Sequence, residues 1–304
     1  MIKKTLYFGN PAYLSLRNDQ LVIHLPGAEG MDDASGINTV PIEDIGIVVL
    51  DHRQITVTQG LLDRLLDNST AVVTCDTSRM PAGLLLPLEG HTVQQERFRA
   101  QIDCSAPLRK QLWQQTVRAK IANQASLLAE RGIPHKNMRF WASSVRSDDP
   151  DNLEGRAAAY FWSKLFLRWV PSFRRDREGE PPNNLLNYGY AILRAVVARA
   201  LVCSGLLPTL GIHHHNRYNA FALADDVMEP YRPFVDRLIC TILDDGEDFS
   251  ELGRSIKSRL LTIPTLDVVL GGKRNPLMIA VGQTTASLAK CYAGTARQIA
   301  YPTW

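Results

Sequence analysis

The stretch LEGHTVQQERFRAQIDCSAP, residues 88–107, divides the chain into two parts with different hydrophobic periods. Before it, segments such as QLVIHL (20–25) and NTVPIEDIGIVVLD (38–51) are short, β-branched and mostly alternating, which is typical of strands. After it, almost every apolar segment has helical spacing. We therefore predict an α+β protein. It has a β-sandwich domain over residues 1–90, a linker over 91–100, and an all-α domain over 101–304.

The second part contains three well-marked helical segments. LRKQLWQQTVRAKIANQASLLAERG (108–132) places its apolar residues near one face. Asp151 or Asn152 can cap a second helix, which runs through RAAAYFWSKLFLRW (156–169). NNLLNYGYAILRAVVARALVCSG (183–205) is almost continuously apolar, which predicts a buried central helix. Two further segments have helical spacing, 224–245 and 277–294.

Charge is divided unevenly between the two parts. Residues 1–90 carry 6 Lys and Arg against 11 Asp and Glu, whereas the remaining residues carry 28 against 20. This asymmetry indicates that the helical part is the one that meets a polyanion. No signal-peptide pattern or uninterrupted apolar span is evident, so we expect a cytoplasmic protein that does not bind a membrane. The five scattered cysteines include no CxxC pair and indicate a packing role.

GIHHHNRYNAFALADDVMEPYRP (211–233) combines three consecutive histidines with the acids Asp225, Asp226 and Glu229. Each aspartate shares a helix face with Glu229, and like charges on one face repel unless a cation lies between them. Glu154, in the first turn of the second helix, is a further candidate ligand. A solvated loop and a solvated helix face, with a glutamate that interacts with the helix dipole, would explain the same residues without any site.

A histidine combined with carboxylates is a donor set that suits Mg²⁺ or Mn²⁺ and admits Zn²⁺. The H-E-x-x-H pattern of helical zinc hydrolases is absent from the sequence. A divalent cation in a basic helical domain indicates phosphodiester chemistry, in which the cation neutralises charge that develops on the phosphate.

Four stretches resemble one known family, the CRISPR-associated integrases of spacer acquisition, or Cas1. They are LEGRAAAYFW (153–162), NYGYAILRA (187–195), GLLPTLGIHHHNRYNAFALADDVMEPYRP (205–233) and the final GGKRNPL…ASLAK (271–290). The resemblance covers essentially the whole chain and is strongest to the type II branch, whose effector is the single-protein nuclease Cas9. It implies the same order of domains, a β-sandwich followed by a helical catalytic domain.

The resemblance also implies a role for individual residues. Glu154, His214 and Glu229 match the family's metal ligands and are the expected catalytic residues, with Mg²⁺ or Mn²⁺ as cofactor. Asp226 matches a supporting acid that binds the metal, orients a water or tunes the field. The assignment is open by one position, because His213, His215 and Asp225 lie beside the matched residues.

The implied reaction is a transesterification in which a DNA 3′-hydroxyl attacks a phosphodiester at the border of a CRISPR repeat. A metal-dependent nuclease that uses water instead, or a DNA-binding scaffold without catalysis, are the alternatives. The implied partners are double-stranded DNA, a second copy of the chain and the small protein Cas2. Two homodimers and a Cas2 dimer form a hetero-hexamer, and other type II CRISPR proteins are further candidates. The acidic residues 1–90 are expected to form the homodimer contact.

A loop rich in arginine, RWVPSFRRDREGEPP (168–182), is a candidate DNA contact. Arg174, Arg175 and Arg177 would bind phosphates there, which requires charge but little geometric precision; a solvated charge run is the alternative. Arg232 is a further candidate. Tyr188 and Tyr190 could stack on bases, although core packing is the favoured interpretation on so apolar a helix.

Overall fold

The computed structural model describes residues 3–26 and 37–304. The chain forms two compact units, residues 1–90 and 91–304, and the division falls after Gly90. The first unit contains two four-stranded sheets and the second is mainly helical, which confirms the predicted α+β class.

In its described residues, 3–26 and 37–90, the first unit contains eight strands and one α-helix. They are β1 (Lys4–Phe8), β2 (Ala12–Arg17), β3 (Gln20–His24), β4 (Ile37–Pro41), β5 (Ile45–Leu50), β6 (Ile55–Val57), α1 (Gln59–Asp67), β7 (Ala71–Cys75) and β8 (Pro81–Leu85). One sheet has the order β1-β5-β7-β8, in which the first three strands are parallel and β8 is antiparallel. The other has the order β4-β3-β2-β6, with β6 parallel to β2.

Both sheets and α1 contribute to one hydrophobic core, which includes Val48 of β5, Leu21 of β3 and Leu61 of α1. The continuous apolar sequence of β5 follows from this, because five of its six residues are buried. The single strand predicted over 38–51 is divided in two by a 3₁₀ turn. Ile42 in that turn is buried, and its N–H bonds to the Asp19 carbonyl, beside the last β3–β4 pair of Gln20 and Pro41.

The second unit contains nine helices and one hairpin within the described residues. They are α2 (Gln94–Ile102), α3 (Ala106–Glu130), α4 (Lys136–Ser144), α5 (Leu153–Leu165), α6 (Asn183–Cys203), α7 (Ala222–Met228), α8 (Arg232–Asp244), α9 (Arg254–Leu260), β9 (Asp267–Leu270), β10 (Lys273–Pro276) and α10 (Leu277–Tyr292). Asn152 is the residue that caps α5.

Three features of this unit differ from the sequence-based expectation. Most of the segment predicted as a linker is α2, which the amide of Gln101 anchors by hydrogen bonds to the Leu207 and Leu210 carbonyls. The helix predicted over 224–245 is interrupted by a 3₁₀ turn at Glu229–Tyr231, where Pro230 has no N–H to donate. Helices α4 and α9 and the β9–β10 hairpin were not predicted.

Two long helices position the site. Helix α3 packs against α5, α8 and the 3₁₀ turn at Glu229–Tyr231, and α6 packs against α7, α8 and α10. Helix α6 is long and apolar enough to cross a membrane by composition alone, but most of its residues are buried inside the unit, as in the core helix of a globular domain. Residues from separate parts of the chain are therefore held around one helical core.

Candidate functional site

Two side chains fix the start of α5, where Glu154 lies. Asn152 has a left-handed backbone (φ 48°), and its Oδ1 accepts a hydrogen bond from the Gly155 N–H at 3.2 Å. Asp149 accepts from the N–H groups of Leu153 and Glu154 at 3.0 and 2.8 Å. A Cβ on Gly155 would lie 2.7 Å from Asn152 Oδ1, so a larger residue would disturb the cap. These bonds satisfy the free amides of the helix start and hold Glu154 in place.

Lys120 of α3 joins Glu154 to Glu229, although the three residues are far apart in sequence. Its Nζ lies 2.7 Å from Glu154 Oε1 and 2.7 Å from Glu229 Oε2. The lysine and Glu229 are buried, at 8% and 3% exposure, and the Glu154 side chain is 22% exposed. Two of the predicted ligands therefore converge on one ammonium group.

The ion pairs shift the pKa values of this cluster. Burial alone would lower the pKa of Lys120, but Glu229 and Glu154 raise it above its ordinary value. Burial alone would raise the pKa of Glu229, but Arg232 and Lys120 hold it below its usual range. Buried charges are costly unless paired, and here each sign is compensated by the other.

His214 is oriented by Asp226. The fully buried Asp226 bonds to His214 Nδ1 through Oδ1 and accepts the His213 N–H through Oδ2 at 2.9 Å. A Cβ on Gly211 would lie 2.4 Å from the His214 carbonyl oxygen, so this loop requires glycine. The bond to Asp226 raises the pKa of His214, and Glu229 and Glu154 raise it further. With Nδ1 engaged, Nε2 is the nitrogen left for a ligand.

The neighbouring residues that were open alternatives have other contacts. The His213 ring stacks on Trp113, with ring centroids 4.3 Å apart and an interplanar angle of 4°. Asp225 forms an ion pair with Arg194, whose Nε lies 2.7 Å from Asp225 Oδ1, and accepts a bond from the Asn219 amide. The geometry thus favours Asp226 over Asp225 and His214 over His213.

The donor atoms fit a divalent cation. Two carboxylates and an imidazole held by a third carboxylate are the ligand types that Mg²⁺ and Mn²⁺ accept. Among the described residues, the buried Oε2 of Glu229 accepts no hydrogen bond of good geometry, although Lys120 lies beside it. Within residues 3–26 and 37–304, no three His, Cys, Asp or Glu side chains are already arranged to hold a metal. The ammonium of Lys120 lies between the two carboxylates instead.

Arg232 faces the interior and supports Glu229. Its Nη2 lies 3.1 Å from Glu229 Oε1, and its guanidinium stacks over the Tyr190 ring at 4.8 Å. The Tyr190 hydroxyl donates to Asp236 at 2.6 Å, and burial raises the pKa of Asp236 to about 7. Tyr188 and Tyr190 are both buried, in agreement with core packing.

The arginine segment has two different kinds of residue. Arg174 and Arg177 are exposed. Arg175 is half-buried, and its guanidinium donates to the side chains of Asn183 and Asn187 at 2.9 and 2.8 Å. Burial lowers the pKa of Arg175. Of the three candidate arginines, Arg174 and Arg177 have the accessibility that a phosphate contact requires and Arg175 does not.

Sequence reasoning missed Lys120, Trp113 and Asp149. Lys120 and Trp113 lie on the apolar stripe of α3, where a lysine is unusual because a buried ammonium requires a partner. A lysine at an apolar position of the helix is therefore the sequence feature that could have indicated a buried ion pair. Asp149 gives no comparable signal, because acids are common in loops that precede helices.

The sequence matches the family model described as "CRISPR associated protein Cas1" over residues 6–252. It is 38% identical over 263 residues to the CRISPR-associated endonuclease Cas1 of Neisseria meningitidis serogroup C (strain 8013), a match that covers 86% of this chain and 83% of the relative.

Solved structures with a similar fold include the following two. One is a casposase bound to integration product, with a TM-score of 0.79, 18% identity, and coverage of 97% of this chain and 92% of that chain. The other is a Cas6-RT-Cas1–Cas2 complex, with a TM-score of 0.71, 20% identity, and coverage of 98% of this chain and 36% of that chain. At these identities the likeness shows the fold.

Proposed function

Because the chain belongs to the Cas1 family of CRISPR-associated endonucleases, we propose that it is a CRISPR adaptation integrase. The 3′-hydroxyl of a short captured DNA duplex would attack a phosphodiester at the repeat border. One phosphorus–oxygen bond forms to the donor and one breaks, and the strand whose 3′-oxygen is displaced leaves with a 3′-hydroxyl. The observation that carries the proposal is the convergence of Glu154 and Glu229 on one buried point, with His214 oriented by Asp226.

The residues that would hold the cofactor are Glu154, Glu229 and Nε2 of His214. A bound Mg²⁺ or Mn²⁺ supplies the Lewis acid that such a transesterification needs. The chain's own residues maintain the geometry of this site. Asp226 orients the His214 imidazole, and Arg232 forms an ion pair with Oε1 of Glu229. A preformed arrangement of this kind lowers the reorganisation that accompanies the reaction.

A metal-dependent nuclease is the second candidate, and the relative's own name, endonuclease, favours it. The same residues would serve if water replaced the 3′-hydroxyl as nucleophile. The test uses purified protein, Cas2, a supercoiled plasmid with a CRISPR repeat, and donor duplexes ending in 3′-hydroxyl or 3′-dideoxy nucleotides. We expect joined product only from the hydroxyl donor. Nicked plasmid without joining, in equal amounts from both donors, would identify water as the nucleophile.

The proposed assembly is a homodimer that binds double-stranded DNA and combines with Cas2. The name of the structural neighbour that contains both Cas1 and Cas2 supports this. We propose residues 1–90 as the dimerisation domain and 101–304 as the catalytic domain, in a cytoplasmic complex of two homodimers and a Cas2 dimer. Light scattering should give the mass of a dimer for the chain alone and of a hetero-hexamer after addition of Cas2.

A further inference from the structure

We propose that Lys120 is a resident cation that competes with the divalent metal for Glu154 and Glu229. Metal binding would then be an exchange, in which the ammonium leaves the space between the two carboxylates. This inference rests on the proposed function, since it takes these carboxylates as the metal ligands. It assigns to Lys120 a positioning role and a control over metal affinity.

The geometry places the ammonium in the position a bridging cation would take. Nζ is 2.7 Å from an oxygen of each carboxylate, and the lysine side chain is only 10% exposed. Its location is fixed by the next turn of α3, where the Asn123 amide donates to the Pro230 carbonyl at 2.8 Å. Because Pro230 follows Glu229 directly, α3 holds both the ammonium and its partner carboxylate in register.

The ammonium and a metal ion cannot share this space. Mg²⁺ binds oxygen ligands at about 2.0–2.1 Å, which is shorter than either contact of Nζ. If these carboxylates held a metal while the ammonium kept its place, the lysine nitrogen would lie within contact distance of a second cation. Two positive charges at a few ångströms in a protein interior repel strongly. Metal entry thus requires Lys120 to rotate away, while the backbone of α3 stays in place.

If the metal replaces the Lys120 ammonium, removal of the lysine charge should have opposite effects on metal affinity and on the stability of the metal-free protein. Lys120→Met should bind Mn²⁺ more tightly, because no cation has to be displaced. The same variant should be less stable in EDTA, because two buried carboxylates lose their shared partner. A purely structural lysine would give the second effect without the first.

The experiment is a calorimetric titration of metal-free, full-length protein with Mn²⁺, without DNA. We expect the Mn²⁺ Kd of Lys120→Met to fall at least about tenfold relative to the unmodified protein. Lys120→Gln should also bind Mn²⁺ more tightly. Because it keeps an N–H donor for the carboxylates, it serves as the second variant if Lys120→Met does not fold. Thermal unfolding in EDTA and in Mn²⁺ should show a larger metal-induced rise in Tm for both variants.

Lys110→Met is the matched control, since Lys110 lies on the same helix and makes a surface ion pair with Asp148 at 2.9 Å. Its Mn²⁺ Kd should stay within about twofold of the unmodified protein, because an exposed charge is screened by solvent. Equal or weaker Mn²⁺ binding in folded Lys120→Gln would overturn the exchange. Absence of Mn²⁺ binding in every protein, or binding that survives Glu229→Gln, would instead overturn the proposed metal site.

Discussion

The cluster around Lys120 and the arginine segment 168–182 are both rich in charge, but the fold treats them differently. In the cluster, Lys120, Glu154 and Glu229 come from three separate elements. The Lys120 Nζ lies 2.7 Å from one carboxylate oxygen of each glutamate. In the segment, Arg174 and Arg177 are exposed on a loop. A site for chemistry needs buried charges whose partners are fixed, whereas a phosphate contact needs only accessible charge. The difference shows which charged residues can be replaced without loss of structure.

The largest expected effect is on the buried ligands. Glu154→Gln, Glu229→Gln and His214→Ala should each lower the rate of strand transfer by more than about a hundredfold. Substitution of a residue that only hydrogen-bonds to a metal ligand already lowers metal affinity or activity by roughly 10–100-fold. The measurement is the initial rate of joined product with saturating Mn²⁺, with circular dichroism to verify folding.

His213→Ala is the control for the register of the histidines. Its ring stacks on Trp113 and its backbone N–H, which the substitution retains, bonds to Asp226. We therefore expect a much smaller loss of rate than for His214→Ala. A larger loss of rate in His213→Ala than in His214→Ala would show that His213, and not His214, is the ligand.

An intermediate effect is expected from Asp236, which lies beside the cluster. Its folded-state pKa is raised from 3.8 to about 7, mainly by burial, so the folded protein retains a proton that the unfolded chain loses. Stability should therefore fall as pH rises from about 4 to about 7 and then level off. Asp236→Asn mimics the neutral form and should remove this dependence, with a relative gain of up to a few kcal/mol above pH 7.

The measurement is urea unfolding of both proteins at several pH values between 5 and 8. The Tyr190 hydroxyl can donate to the asparagine oxygen as it does to the carboxyl, so the hydrogen bond at 2.6 Å is retained. Parallel stability curves for the two proteins would show that Asp236 is ionised in the folded state like an ordinary aspartate.

The smallest effect is expected from the exposed arginines. Replacing Arg174 and Arg177 together with alanine should reduce the salt slope of DNA affinity by at most two phosphate contacts, each worth about 0.9 in log affinity per log salt. Arg175→Ala should instead lower Tm and leave the slope unchanged, because its guanidinium bonds to Asn183 and Asn187. An unchanged slope in the double variant would show that the loop is a solvated connector.

Much of the architecture followed from local patterns. Strand alternation before residue 90 and helical spacing after it predicted the α+β class, and the apolar sequence 183–205 predicted the buried helix α6. The errors lie where tertiary contacts compete with local preference. The local pattern predicts a linker over residues 91–100, but most of that segment lies in α2, where Gln101 bonds to the distant carbonyls of Leu207 and Leu210.

For the site, local sequence was enough to give the chemical types: a histidine three residues after a glycine, acids at helical spacing, and a glutamate at a capped helix start. Spacing along one helix could bring Asp226 and Glu229 close, because their distance depends only on local geometry. The resemblance to Cas1 then selected Glu154 and His214.

The pairing of these residues depends on long-range packing. Asp225 and Asp226 are adjacent in sequence, yet one pairs with Arg194 and the other with His214. Lys120 has no sequence relation to Glu154 or Glu229, and the packing of α3 against α5 and the 3₁₀ turn brings the three together. A buried charge needs an oppositely charged partner, and the packing of the core, rather than the order of residues along the chain, determines which partner lies within reach.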